Sequence, residues 1–207
     1  LVDEYVDTPD FRLLRNGYGL RIRRSEEGRL ATLKSLRLTD GPNGSANRSA
    51  GIYERLEIEE PLPAEPTLSP ITGWPDNIML RLAPLLNGAD LHIICRLEQV
   101  RQKRLIICGP DSKPASKPDS KPDSGPAGEP AGEPSGAPAV AELSFDEVRI
   151  RQDNIGPALA HYHELEIELL HGREASDLPP LVAAVQGLAL QPDPRSKLEH
   201  ALAVIGR

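Results

Sequence analysis

Glutamates occupy every second position in the core of "HYHELEIELLHG", residues 161–172: Glu164, Glu166 and Glu168 alternate with Leu165, Ile167 and Leu169. On an extended strand the three carboxylates share one side and the aliphatic residues the other. Charges one strand repeat apart, roughly 6–7 Å, repel by about 2–3 kcal/mol at an effective dielectric near 20. Such a strand needs cations on its acidic side and cover on its apolar side.

The same division recurs along the chain. Arg21 and Arg23 share a face opposite Leu20 and Ile22; Arg55, Glu57 and Glu59 lie opposite Leu56 and Ile58; Ser144 and Asp146 lie opposite Leu143 and Phe145. The opening residues follow the design as well. A half-buried sheet facing bulk water would carry mixed polar residues outside. Arg and Glu in fixed alternation, strand after strand, point instead to a shared charged interior. An outer-membrane barrel also has a polar lumen, but it needs aromatic girdles, and aromatic residues are only 3% of this chain. The pattern therefore predicts a closed or nearly closed barrel, charged inside, its apolar exterior covered by helices.

Other segments fit that plan. "YGLRIRR" (18–24) and "GRLATLKSL" (28–36) read as a hairpin, "IYERLEIEE" (52–60) and "VAELSFDEVRI" (140–150) as strands, and "DLHIICRLEQVRQKRLIICG" (90–109) as one long or two short strands of unclear phase. Helices are expected at "DFRLLRN", capped by Asp10, and at "NIMLRLAPLLNG", "DLPPLVAAVQGL" and "DPRSKLEHALAVIG", the last starting near Pro194. The stretches at 39–51 and 110–139 are polar and low in complexity. The longer one reads as a disordered loop grown between two strands of a single domain, 1–207, and as dispensable for folding.

The net charge of −7 argues against nucleic acid as the main partner. No apolar run approaches a membrane span, and membrane association is not expected. Cys95 and Cys108 form no disulfide or zinc pattern and read as small buried side chains suited to a cytoplasmic protein.

"YVDTPDFRLLRNGYGLRIRR", then "ATLKS", "RLEIEE", "LSFDEVRI", "ELEIELLHG" and "DPRSKLEHAL", taken in order, resemble the CYTH superfamily, the triphosphate tunnel metalloenzymes. The resemblance implies an α+β fold with an eight-stranded antiparallel closed β-barrel whose tunnel binds triphosphate. It implies phosphate binding by Arg21, Arg23, Lys34, Arg55, Arg101, Lys103 and Lys197, with Lys34 as the catalytic residue. It implies metal ligation by Glu57, Glu59, Asp146 and two of Glu164, Glu166 and Glu168, for Mg²⁺ or Mn²⁺.

The chemistry of these residue types agrees with that assignment. Arginine forks bind phosphate oxygens in pairs and lysines add point charges, whereas carboxylates suit a phosphate site only when divalent cations bridge them to it. The implied activity is inorganic triphosphate hydrolysis. A non-catalytic polyphosphate- or nucleotide-binding module, a thiamine triphosphatase and an adenylate cyclase use the same charges. The superfamily's opening Glu-x-Glu-x-Lys strand has no counterpart here, so the chain reads as lacking its first barrel strand and as weak or inactive alone. A helical polyphosphate-binding domain after Arg207 is a further expected partner. His161, His163 and His171 read as ordinary surface or cap residues.

Overall fold

The computed structural model describes residues 1–37, 55–107, 139–152, 156–185 and 187–206. Both low-complexity stretches lie outside these residues, except that Ala139 opens a strand and Cys108 is also excluded. Seven strands form one antiparallel sheet: β1 (Val2–Asp7), β2 (Tyr18–Ser25), β3 (Gly28–Ser35), β4 (Glu57–Pro61), β7 (His92–Ile107), β8 (Ala139–Arg151) and β9 (Ala160–Leu169). Their spatial order is β4-β3-β2-β1-β7-β8-β9, and two-residue strands β5 (Thr67–Leu68) and β6 (Ile71–Thr72) pair separately. β4 and β9 are the edges of the seven-stranded sheet, and among the described residues no pairing joins them.

Helix α1 (Arg12–Arg15) follows β1, α2 (Asp76–Leu86) precedes β7, and α3 (Leu178–Val185) and α4 (Lys197–Ile205) close the chain. One face of β1–β3 presents Val6, Leu20, Ile22, Ala31 and Leu33 to Leu13 of α1 and to Ile78, Leu82 and Leu86 of α2. Each of these side chains except Ala31 contributes about 1.5–3 kcal/mol by leaving water. A smaller apolar group, Val140, Ala141 and Leu181, seats α3 on β8.

The fourth helix departs from expectation. Instead of covering the apolar exterior, α4 packs on the charged face, where Leu198, Ala201 and Leu202 meet Tyr5, Cys95, Leu97, Val148 and Ile150. Strand β2 makes room for it with Gly19, where a Cβ would come within 2.9 Å of Leu198 Cδ2. The helix begins at Lys197 rather than near Pro194, because Ser196 and Glu199 form a reciprocal capping box: the Glu199 N–H donates to Ser196 Oγ at 3.2 Å and the Ser196 N–H to Glu199 Oε2 at 2.7 Å.

Of two further local readings, one is decided between its alternatives and one is corrected. Strand β7 is a single strand of 16 residues. Its unclear phase has a physical cause: the register against β1 shifts between Tyr5 and Val6, which pair with Cys95 and Ile93 and leave Ile94 as an extra residue. And Asp7, not Asp10, receives the N–H groups at the start of α1. Phe11 takes a left-handed conformation (φ 56°) that turns Leu13 and Leu14 back to the end of β1, where they donate to Asp7 Oδ1 and Oδ2 at 2.9 Å each. Asp10 bonds Thr8 and Arg12 at the surface.

Asp7→Ala should therefore lower unfolding stability by about 1–3 kcal/mol, the cost of stranding buried donors, whereas Asp10→Ala, at an exposed site, should leave it nearly unchanged. Urea denaturation of both variants checks the assignment.

Candidate active site

Register assembles the charged face. Asp3 pairs with Arg23 and Tyr5 with Arg21 across β1 and β2; Arg21 faces Thr32, which faces Glu59; Lys34 faces Glu57. On the other flank Asp3 opposes Leu97 of β7, Arg101 opposes Asp146, and Asp146 opposes Glu164 while Ser144 opposes Glu166. Directly paired residues point the same way in a sheet. Arg21, Arg23, Lys34, Glu57, Glu59, Arg101, Asp146, Glu164 and Glu166 thus share one face across all seven strands.

At its centre lies Asp3, which is fully buried. Arg23 grips it with two bonds, Nε to Oδ1 and Nη2 to Oδ2, both 2.8 Å; Gln99 donates to Oδ2 at 2.6 Å and Arg21 at 3.3 Å. Burial alone would raise the Asp3 carboxyl, but the Arg21 charge and the Arg23 hydrogen bond outweigh it and hold it below the ordinary carboxylate value. Arg21 reaches onward to Thr32 Oγ1 at 2.9 Å and lies 3.7 Å from Glu57 and 3.5 Å from Glu59. Its Nε is buried and makes no hydrogen bond among the described residues. Lys34 Nζ is 2.9 Å from Glu57, and this pair is partly open to solvent.

A second group forms where α4 meets β8 and β9. Lys197 Nζ lies 3.1 Å from Asp146, 3.2 Å from Glu164 and 2.8 Å from Glu166. Arg101 forks onto Asp146 at 2.7 and 2.5 Å and reaches Glu166 at 2.8 Å. Three carboxylates thus meet two cations, one negative charge in excess. Glu164 carries the consequence: burial pushes its carboxyl up, Lys197 opposes that, and Glu166 and Asp146 push further in the same direction. Asp146 and Glu166 are also raised by burial, yet Arg101 and Lys197 bring both below the ordinary range.

The remaining predicted residues sit apart. Lys103 is exposed and pairs with Glu142 at 3.0 Å. Glu168 is exposed, opposite Glu142 in register. Arg55 precedes β4 and donates to the Pro194 carbonyl at 2.6 Å, tying that edge to the approach to α4. Sequence reasoning missed Asp3, Gln99 and Thr32. The signal for Asp3 was its phase in "VDEYVD", set against two arginines of β2. On the reverse face, Glu147, His161 and His163 gather.

A CYTH domain model matches residues 1–178. The chain belongs to the CYTH family. Members of this family bind phosphate-containing substrates and are generally dependent on divalent metal. Lys197 and α4 lie past the matched residues. Comparison with curated proteins finds no significant match. Among solved structures, a Bacillus halodurans protein titled a "putative adenylate cyclase" has a similar fold, with a TM-score of 0.51 at 14% identity over 96% of this chain and 80% of that one. That likeness supports the α+β fold with its large antiparallel sheet. Among the described residues no helix is long and apolar enough to cross a membrane.

Whether this CYTH domain suits a hard divalent cation can be judged from its own donors. Asp146, Glu164 and Glu166 supply only oxygen ligands and carry one negative charge in excess, the donor type that Mg²⁺ or Mn²⁺ takes. The point on which they converge is filled by Lys197 Nζ, which a cation bound among them would have to displace.

Asp3→Asn should cost about 3–5 kcal/mol, because it leaves two mostly buried guanidinium groups without their carboxylate. The sign with pH follows from its depressed pKa. The stabilisation is complete well above the unfolded value of about 3.9 and is lost as pH falls through the folded value. Thermal unfolding from pH 7 downward should show a shallower acid limb in Asp3→Asn than in the parent; Asp146 and Glu166 titrate in the same sense and keep part of it.

Proposed function

We propose that this chain is a cytoplasmic, metal-dependent triphosphatase acting on inorganic triphosphate, with the charged face as its substrate tunnel. The observation that carries this reading is the placement, on one face, of an arginine pair anchored by buried Asp3 beside three carboxylates converging on Lys197. In the same proposal the sheet curls into a closed barrel through an eighth strand between edges β4 and β9, and the bond from Arg55 to the Pro194 carbonyl draws one of those edges toward α4.

The residues divide the work by charge. Arg21 and Arg23 are held in place before any ligand arrives, since both bond Asp3, which Gln99 holds in turn. They are therefore pre-organised to bind phosphate oxygens without losing side-chain freedom at that moment. The unpartnered Nε of Arg21 supplies a donor that a phosphate oxygen can take. Arg101 and Lys197 extend the positive track, and Arg55 and Lys103 lie at its margins. Lys34, on a partly open strand, brings a mobile positive charge to the phosphoryl group under attack.

Asp146, Glu164 and Glu166 would hold a divalent cation, with Glu57, Glu59 and Glu168 as outer oxygen donors. When bound, Mg²⁺ or Mn²⁺ would offset phosphate charge and acidify a coordinated water. Phosphoryl transfer then depends mainly on positioning and charge, which these side chains supply.

A second reading, ATP cyclisation, is favoured by the fold it shares with the Bacillus halodurans protein. The test is an assay of inorganic triphosphate, thiamine triphosphate and ATP with Mg²⁺ or Mn²⁺, using the chain alone and with a Glu-x-Glu-x-Lys strand supplied ahead of Leu1. The expected result is phosphate release from inorganic triphosphate by the form carrying the added strand, abolished by chelator, with the chain alone weak or inactive. Arg23→Ala should lower kcat/KM about ten- to a hundredfold, the loss of one charge-assisted contact. Glu164→Gln should instead raise the metal concentration needed for half-maximal rate. A cyclic nucleotide from ATP would favour the cyclase, and tight triphosphate binding without turnover a binding module. Chelator-insensitive hydrolysis would remove metal from the mechanism.

A further inference from the structure

On the face of β8 and β9 turned away from the tunnel residues, Glu147, His161 and His163 each bring one potential ligand atom within 4.8 Å of the other two. Glu147 and His163 are directly paired across the two strands, and His161 shares their side one strand repeat away. We propose that these residues form a second metal site, selective for a borderline divalent ion such as Zn²⁺, Ni²⁺ or Cu²⁺ and independent of the tunnel's cation.

The donor set decides the class of ion. Two imidazoles and one carboxylate favour zinc and its neighbours over Mg²⁺ and Mn²⁺, which prefer oxygen. Three protein ligands leave one position for water or an exogenous ligand. Ligand atoms about a tetrahedral zinc ion lie roughly 3.4 Å apart, given bonds near 2.0–2.1 Å. His161 Nε2 and Glu147 Oε1 are already 3.3 Å apart. The His163 ring stacks on Phe145 at 5.4 Å and meets His161 edge to face at 5.0 Å. Arg149 pairs with the same Glu147 Oε1 at 2.7 Å, a contact half open to solvent that the ion would displace.

The position gives such an ion a mechanical role. Glu147 adjoins Asp146, and His163 adjoins Glu164, with successive side chains on opposite faces. An ion bridging β8 and β9 from outside would pin the stretch of backbone that aims two tunnel carboxylates.

The experiment titrates Zn²⁺ into the metal-stripped full chain against a chromophoric chelator, in excess Mg²⁺. The expected result is one tight equivalent that Mg²⁺ does not displace. It should weaken by at least about tenfold, or 1.4 kcal/mol, in the His161→Gln/His163→Gln double variant and in Glu147→Gln. His171→Gln and Glu166→Gln should leave it unchanged. Unaltered zinc affinity in a folded double variant would overturn the proposal, as would an equal loss in Glu166→Gln. Should the double variant fail to fold, Cu²⁺ bound to the parent protein still decides: its electron paramagnetic resonance should show coupling to two imidazole nitrogens, and a spectrum with oxygen ligands only would overturn the site.

Discussion

The fold turns on the neutralisation of a sheet face that would otherwise repel itself. Asp3 is the pivot. It sits on the central strand, wholly shielded from water, and it is the point at which the guanidinium groups of β2 and the amide of β7 meet. A buried carboxylate is costly unless charged and polar partners surround it. Here they do, and in doing so they set the direction of the arginine side chains. The same balance between α4 and the β8–β9 pair is less complete, and one negative charge is left over there.

Much of this was readable from alternation. The period of two in residues 18–24 and 161–169 puts Arg21 with Arg23 and Glu164 with Glu166 on one side of their own strands; that both pairs share a face of the sheet follows from the register across β1, β7 and β8. What alternation could not show was phase across an irregularity. The extra residue at Ile94 reverses the pattern within β7, so Arg101 could be assigned to the charged face only once the register was known. Nor could it show which carboxylate closes a helix start. Asp7 and Asp10 are both plausible in sequence, and the left-handed turn at Phe11 decides between them.

The placement of α4 was hidden for a different reason. An amphipathic helix announces that it has an apolar stripe, not which apolar surface will receive it. The charged face contains its own apolar end, formed by Tyr5, Cys95, Leu97, Val148 and Ile150, and Gly19 allows the helix to approach it. Seating the helix there carries Lys197 in among the carboxylates, which explains a lysine in a first helical turn, where the helix dipole alone would disfavour it.

That arrangement has a bearing on how the chain matures. Ribosomes release a polypeptide from its first residue onward, and domains acquire structure as they emerge. Strands β8 and β9 leave the exit channel before α4 does, so Asp146, Glu164 and Glu166 spend an interval without Lys197 beside them. During that interval Arg101 is the neighbouring cation within the sheet, and the repulsion among the three carboxylates is only partly offset. The docking of Lys197 is then the step that completes this cluster, and it comes after the strands whose charge it offsets.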